Sequence, residues 1–339
     1  MVSGLVDHAR DGDQKWHYIA FNTYGSRPIP ATVRMMAWAL VARFRGLDFD
    51  VAHLHVSHGL SLIRKTCVAL AIAGRRPIVV QLHSGTLLIP GVRSRWELVV
   101  WDFLTRRADT VLLLSREVES LALARLVSHR DPATTTVIAN SVSVPPNTEA
   151  DRNADKNTDR TTLLFLGRLG LRKGVDTLLK AFALLDSPAT TLLVCGDGDI
   201  QEWKSEAQRL GIASSVDFTG WIDPRQRWSY LKAATALVLP ARAEGLPMSV
   251  LEALGVGTPV IVTPVGGIPD YLVDERDALI IPVDDPQALA NSMRRIISDP
   301  ELVATLSRGG LITYSQQFDP KILLDRLCDV YSALEPHRS

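Results

Sequence analysis

Two glutamates, two cations on a glycine-flanked loop and a histidine closing an apolar run are the side chains of this 339-residue chain best suited to chemistry. The glutamates, Glu244 and Glu252, lie in Leu-Pro-Ala-Arg-Ala-Glu-Gly-Leu-Pro-Met-Ser-Val-Leu-Glu, residues 239–252, with seven residues between them. The apolar run 236–239 before them has the length of a buried strand. Pro240 ends that strand, Gly245 permits a tight turn, and Pro247 suits the first position of the helix that continues through Met248, Ser249 and Leu254. A helix start of this kind offers free backbone N–H groups, here near Leu246–Ser249, to phosphate or sugar oxygens.

The cations lie in Phe-Leu-Gly-Arg-Leu-Gly-Leu-Arg-Lys-Gly, residues 165–174. Gly167 lets backbone approach a ligand closely. Arg168 can fork two phosphate oxygens, and Lys173 adds a point charge. No Gly-Lys-Ser/Thr follows, so this is not a Walker loop. Cys195-Gly196-Asp197-Gly198 reads as another turn after a strand. Trp221 follows Phe218-Thr219-Gly220 and is available for stacking, and Val265-Gly266-Gly267-Ile268-Pro269-Asp270 forms a further turn. His83 ends an apolar run and precedes Ser84-Gly85, the place where open α/β sheets bind ligands. His53 and His55 share one face of a strand, a spacing also used for metals, with His58 nearby.

The elements that must position these groups alternate. Apolar strands are read over 50–56, 77–82, 110–114, 135–138, 162–166, 191–195, 216–218, 236–239, 259–263 and 278–281, and a strand over 16–21. Helices are read over 31–45, 59–73, 93–107, 117–128, 174–185, 202–210, 225–233, 286–298, 301–318 and 322–334. Continuous apolar strands between amphipathic helices imply an α/β protein with parallel sheets covered on both faces. The Pro/Asn/Thr/Asp-rich segment 144–161 breaks the pattern as a linker does. The expected division is a first domain over 1–150, a linker over 151–161, a second domain over 162–315, and a terminal helix over 316–339 packing back on the first domain.

Lys+Arg and Asp+Glu are equal at 37 each, which gives no sign of a nucleic-acid partner. Residues 1–149 hold 17 basic against 12 acidic side chains, a surplus that suits an anionic lipid surface or acceptor. The tryptophan-bearing helix 93–107 is read as packed against the domain, with contact to a membrane as the other option. Cys67, Cys195 and Cys328 form no C-x-x-C pair, which fits a reducing compartment and no structural zinc. No apolar run reaches the roughly 18 residues of a spanning helix. Asp7, His8, Arg10 and Asp11 interrupt any signal-peptide pattern.

The Glu-x7-Glu unit with its Glu-Gly-Leu-Pro-Met-Ser-Val-Leu-Glu-Ala context resembles the signature of family-4 retaining glycosyltransferases of the GT-B fold. Gly-Arg-x4-Lys-Gly, Val-Gly-Gly-Ile-Pro-Asp and Asp-Val-Ala-His-Leu-His resemble other parts of that family, with Asp270 where the family has Glu. The resemblance implies two Rossmann-like domains whose parallel sheets face a cleft, the first on the acceptor side and the second binding the nucleotide-sugar. It implies that Arg168 and Lys173 hold the donor diphosphate, with Gly167 and Gly196 close to the nucleotide and Trp221 beside the base. Glu252 would accept the ribose hydroxyls. Glu244, Gly245, Leu246, Pro247, Met248 and Ser249 would hold the sugar, with His83 beside it. The implied reaction transfers a sugar from a UDP- or GDP-linked donor to a glycan or lipid-linked acceptor with retention. No metal or cofactor is implied, the histidine strand of the family binding none. Cell-surface polysaccharide or glycolipid synthesis is the implied setting, in the cytoplasm or at the inner face of the membrane.

The family's first domain opens with a strand and a Gly-Gly loop, whereas Met1–Val6 resembles the far end of the helix after them; the expectation is a start upstream of Met1. Two other readings stand beside this one. A glycoside hydrolase would use the glutamates as acid and nucleophile. A non-catalytic or weakly active GT-B-like protein would bind without transfer.

Overall fold

The structure, a computed structural model, describes residues 49–72, 76–83, 87–88, 94–126, 134–145 and 161–334. The strand read over 16–21, the helix over 31–45, Ser84-Gly85, the chain start and residues 151–160 of the linker lie outside these. Thr161, placed at the end of the linker from sequence, instead opens a strand.

The chain divides into two compact units, 1–140 with 320–339, and 141–319. In the first, β1 (Ala52–Val56), β2 (Ile78–Leu82), β3 (Thr110–Leu113) and β4 (Thr134–Val137) form a parallel sheet in that order. Helices α1 (Leu60–Ile72), α2 (Arg95–Thr105) and α3 (Arg116–Leu126) connect them. Leu62, Ile72, Val80, Trp101, Leu104 and Leu113 form the core on one face.

In the second unit, six parallel strands follow the order β10-β9-β8-β5-β6-β7. They are β5 (Thr161–Leu166), β6 (Thr190–Cys195), β7 (Val216–Gly220), β8 (Ala236–Leu239), β9 (Val260–Val262) and β10 (Leu279–Ile280). The helices are α4 (Val175–Leu185), α5 (Ile200–Arg209), α6 (Pro224–Ala233), α7 (Met248–Gly255), α8 (Ile268–Tyr271), α9 (Pro286–Ser298) and α10 (Pro300–Thr313). Phe165, Leu192, Leu237, Val238 and Ile261 are fully enclosed, as expected for strands covered on both faces. Helix starts are chemically marked: Asp199, Asp285 and Asp299 each accept a backbone N–H at an N-cap, and Asp223 forms a capping box with Gln226.

Three expectations are corrected. Pro247 is the N-cap of α7 and not its first helical residue. The helix read over 301–318 stops at Thr313, and a π-helical turn, Tyr314–Phe318, follows. Its tyrosine hydroxyl bonds Val142 O at 2.7 Å, while Phe318 is fully buried. The turn 265–270 contains α8, too short to show as a period. The last helix, α11 (Pro320–Ala333), completes the first unit: Leu323, Leu324, Leu327 and Tyr331 pack with Val79, Leu112 and Ile138.

Candidate active site

In the second sheet the strand order reverses at β5. The chain runs from β5 outward to β6 and β7, then returns to β8 on the other side. The loops after β5 and β8 therefore leave neighbouring strands in opposite directions. The crevice between two such loops, at the carboxyl ends of the strands, is where open α/β sheets bind ligands. The loop after β5 carries Arg168 and Lys173; the loop after β8 carries Glu244.

These loops are bonded together. Lys173 Nζ lies 2.9 Å from Glu244 Oε1, and Arg172 Nη1 donates to the same oxygen and to Ala243 O. Arg242 N donates to Arg172 O, and its guanidinium forks Asp176 at 2.7 and 2.8 Å and reaches Asp284 at 2.7 Å. The Asp176 carboxyl is held below the usual carboxylate range by the hydrogen bond from Arg242. Lys173 sits on the 3-10 turn Leu171–Lys173, and its stem passes over Gly167. Gly174 closes that turn in the left-handed region, φ +71°, where a Cβ would collide with Pro240 O.

Other loops brace these two. Gly167 N donates to Cys195 O, Leu169 N to Asp197 O, and Gly196 N to Gly220 O, so the ends of β5, β6 and β7 are tied by backbone bonds. From the other side, Gly267 N donates to Gly245 O and Thr263 Oγ1 to Ala241 O. Gly266, at φ +59°, lies against the backbone of Glu244 and Gly245.

The sequence-selected residues fall into distinct environments. Glu244 and Lys173 are joined. Arg168 is exposed and makes no hydrogen bond or ion pair among the described residues. Leu246 and Pro247 are buried, while Gly245, Met248 and Ser249 are half-buried. Trp221 is 74% exposed. Glu252 is enclosed, with 5% of its side chain exposed, and Arg227 Nη1 lies 3.1 Å from its Oε1. Burial pushes this carboxyl up to about 7, against the pull of Arg227. Arg172 and Arg227 were not singled out from sequence. The only signal for Arg172 is its place beside Lys173; Arg227 gives none.

In the first unit, His83 follows β2, and its Nε2 lies 2.8 Å from His55 Nδ1. His55 stacks on His53, whose Nδ1 lies 2.6 Å from the Tyr331 hydroxyl. Gln81 stands opposite His55 in the sheet register. Burial lowers all three imidazoles, His53 to about 3, His83 to about 4 and His55 well below its ordinary value, so the row is neutral at pH 7. No group of three metal-ligating side chains suited to a metal ion occurs among the described residues.

Residues 146–311 match the family model of glycosyl transferases group 1. The chain is 26% identical over 294 residues to a glycogen synthase of Mycobacterium tuberculosis, a match covering 84% of this chain and 69% of that one. It is 32% identical over 198 residues to the lipopolysaccharide core biosynthesis glycosyltransferase LpsD of Rhizobium meliloti, covering 58% and 56%. The crystal structure of Anabaena Alr3699/HepE in complex with UDP-glucose superposes with a TM-score of 0.75 at 20% identity, over 94% of this chain and 86% of that one. The fold is GT-B, and the matches support a group 1 glycosyltransferase.

Proposed function

We propose that this chain transfers a sugar from a nucleotide-diphosphate sugar to a glycan or lipid-linked acceptor with retention of configuration and without a metal ion. The observation that carries the proposal is the switch point of the second sheet, where Arg172 and Lys173 meet Glu244 in the loop before α7, with exposed Arg168 on the same loop as Lys173. A departing diphosphate needs its growing charge neutralised, and preorganised cations do this without reorganisation. Arg168 is uncommitted and suited to a bidentate hold on phosphate. Lys173 would be shared between Glu244 and the diphosphate. Glu244 and the N–H groups at the start of α7 would hold the donor sugar, with Glu252 on the ribose and Trp221 beside the base. The leaving phosphate would help deprotonate the acceptor, and His83, neutral, would orient the sugar. The UDP-glucose held by the Anabaena neighbour favours a uridine donor.

A hydrolase acid would also show a carboxyl ionising near neutrality, as Glu252 does. The cationic loop has no task in hydrolysis, however, and nucleotide binding separates the two activities. The test is a thermal-shift screen with UDP, GDP, ADP and their sugars, followed by transfer from the donor that stabilises most. No stabilisation by any nucleotide refutes the proposal.

For the acceptor side we propose contact with an anionic lipid surface. Trp96, Val99 and Phe103 form an exposed stripe on α2, with exposed Arg95 and Arg106 at its ends. Trp101, on the same helix, is fully buried. Apolar side chains flanked by arginine suit an interfacial helix. Co-sedimentation with phosphatidylglycerol vesicles, lost in Trp96→Ser/Phe103→Ser, is the expected result; equal sedimentation of the variant refutes it. No helix among the described residues is long and apolar enough to cross a membrane.

A further inference from the structure

We propose that Arg227 is a positioning residue of the nucleotide site, its guanidinium holding the enclosed Glu252 carboxylate charged and oriented for the two ribose hydroxyls. The inference rests on the reading of Glu252 as the ribose ligand. The observations that carry it are geometric. Glu252 projects from α7 with 5% of its side chain exposed, and Arg227 Nη1 stands 3.1 Å from Oε1. A carboxylate so enclosed needs a charged partner to stay ionised, since burial favours the neutral acid.

Arg227 is held in place by α6. The Asp223 capping box and Pro224 fix the start of that helix, and Arg227 N donates to Asp223 O. One turn on, the Leu231 carbonyl accepts a hydrogen bond from Thr258 Oγ1 at 2.6 Å, beyond the end of α7. Both helices carrying the pair are thereby tied together. Arg227 Nε is buried without a hydrogen-bond partner among the described residues, and Nη1 is the nitrogen that meets Glu252. A protonated Glu252 would offer one donor and a weak acceptor to the ribose; the carboxylate offers two acceptors.

Among the described residues, no other charge on the elements that pack most closely on α7 competes for this role. The elements packed on α7 are α6, α10, β8, β9 and the π-helical turn. β8 and β9 carry no ionisable residue. Tyr314 of the π turn gives its hydroxyl to Val142 O. Arg227 is the charge that acts on Glu252, whereas Arg225, Tyr230 and Lys232 of α6 and Glu301 and Arg308 of α10 exert no comparable field on it.

The test measures UDP affinity by calorimetry from pH 6 to 9 in wild type, Arg227→Leu, Arg227→Lys and Glu252→Gln. Arg227→Leu is expected to weaken binding about fivefold at pH 7, from a rise of roughly one pH unit above about 7 in the ionisation that binding requires, with the gap closing by pH 9. Arg227→Lys should recover most of the loss. In the Glu252→Gln background Arg227→Leu should have no further effect. A loss of equal size at every pH, or one that persists in that background, overturns the inference in favour of a direct phosphate contact or mere packing.

A ligand-free arm keeps the inference separate from the reading beneath it. The drop in thermal midpoint caused by Arg227→Leu should be larger at pH 8 than at pH 5 and should vanish in Glu252→Gln. If no nucleotide binds wild type, the ribose reading fails. The ligand-free cycle then decides whether Arg227 governs Glu252, and a drop independent of pH overturns that.

Discussion

Gly266→Ala tests whether the turn carrying Glu244 is held by the loop beneath it. A Cβ at Gly266 would stand 2.2 Å from Glu244 O and 2.3 Å from Gly245 O. Restoring an ordinary 3.4 Å contact moves one of these backbones by about 1.2 Å. Both belong to the turn that aims Glu244 and the first N–H groups of α7, and a displacement of about 1 Å in such a site costs on the order of a hundredfold in rate. The backbone at φ +59° adds left-handed strain of about 1–2 kcal/mol for any residue with a Cβ. Gly211→Ala separates the two effects. Gly211 has φ +74° and open space where the Cβ would go, so it carries the strain without the collision. The assay is UDP release from UDP-glucose, with thermal midpoints measured in parallel. Gly211→Ala should lower the midpoint by about 2–4 °C per kcal/mol and leave kcat/KM unchanged. Gly266→Ala should lower kcat/KM about a hundredfold. If it retains wild-type kcat/KM, the turn is not positioned in this way.

Arg168→Ala and Lys173→Ala should each reduce transfer by about a hundredfold, the scale of one preorganised charge partner, and wild-type rates in both variants sink the diphosphate assignment. EDTA should leave the rate unchanged; loss restored by manganese or magnesium contradicts a metal-free site. The neutral histidine row makes the first unit acid-labile. The folded-state values of His53, His55 and His83 are depressed, so their contribution is fully present above pH 6.5 and is lost as pH falls toward the folded values near 4 and 3. Each histidine adds a slope of up to about 1.4 kcal/mol per pH unit in that window. Chemical denaturation between pH 7 and 4.5 should show this, and a flat profile would exclude a row buried neutral. Tyr331→Phe should cost about 1–2 kcal/mol, because the buried His53 Nδ1 would lose its hydrogen-bond partner; an unchanged midpoint denies the bond any weight.

The parts of this molecule legible in the sequence are those written in local chemistry. The runs 236–239 and 162–166 are continuous and apolar, so β8 and β5 were expected within a residue of where they lie. The glycines and prolines around them located the loops that meet at the switch point. What was hidden is tertiary. Arg172 and Arg227 become site residues only because β8 lies beside β5 and α6 packs on α7. The alternation of β1 puts His53 and His55 on one face, but the pairing of His55 with His83 depends on the β1–β2 register. The helical pattern through 301–318 continues across Thr313 without a break in composition, so the π-helical turn left no local mark.

The helix α11 has a consequence for biosynthesis. Residues 141–319 are contiguous, so every strand of the second unit is available before α11 is synthesised. The first sheet, made earlier, lacks the packing of Leu323, Leu324 and Leu327 on Val79 and Leu112 until those residues arrive, and His53 waits 278 residues for Tyr331. At about 5–20 residues per second that delay is on the order of tens of seconds on the ribosome. The half that is translated first is therefore the half that finishes last, and a nascent chain stalled before Pro320 would leave Val79, Leu112 and Ile138 without their α11 partners.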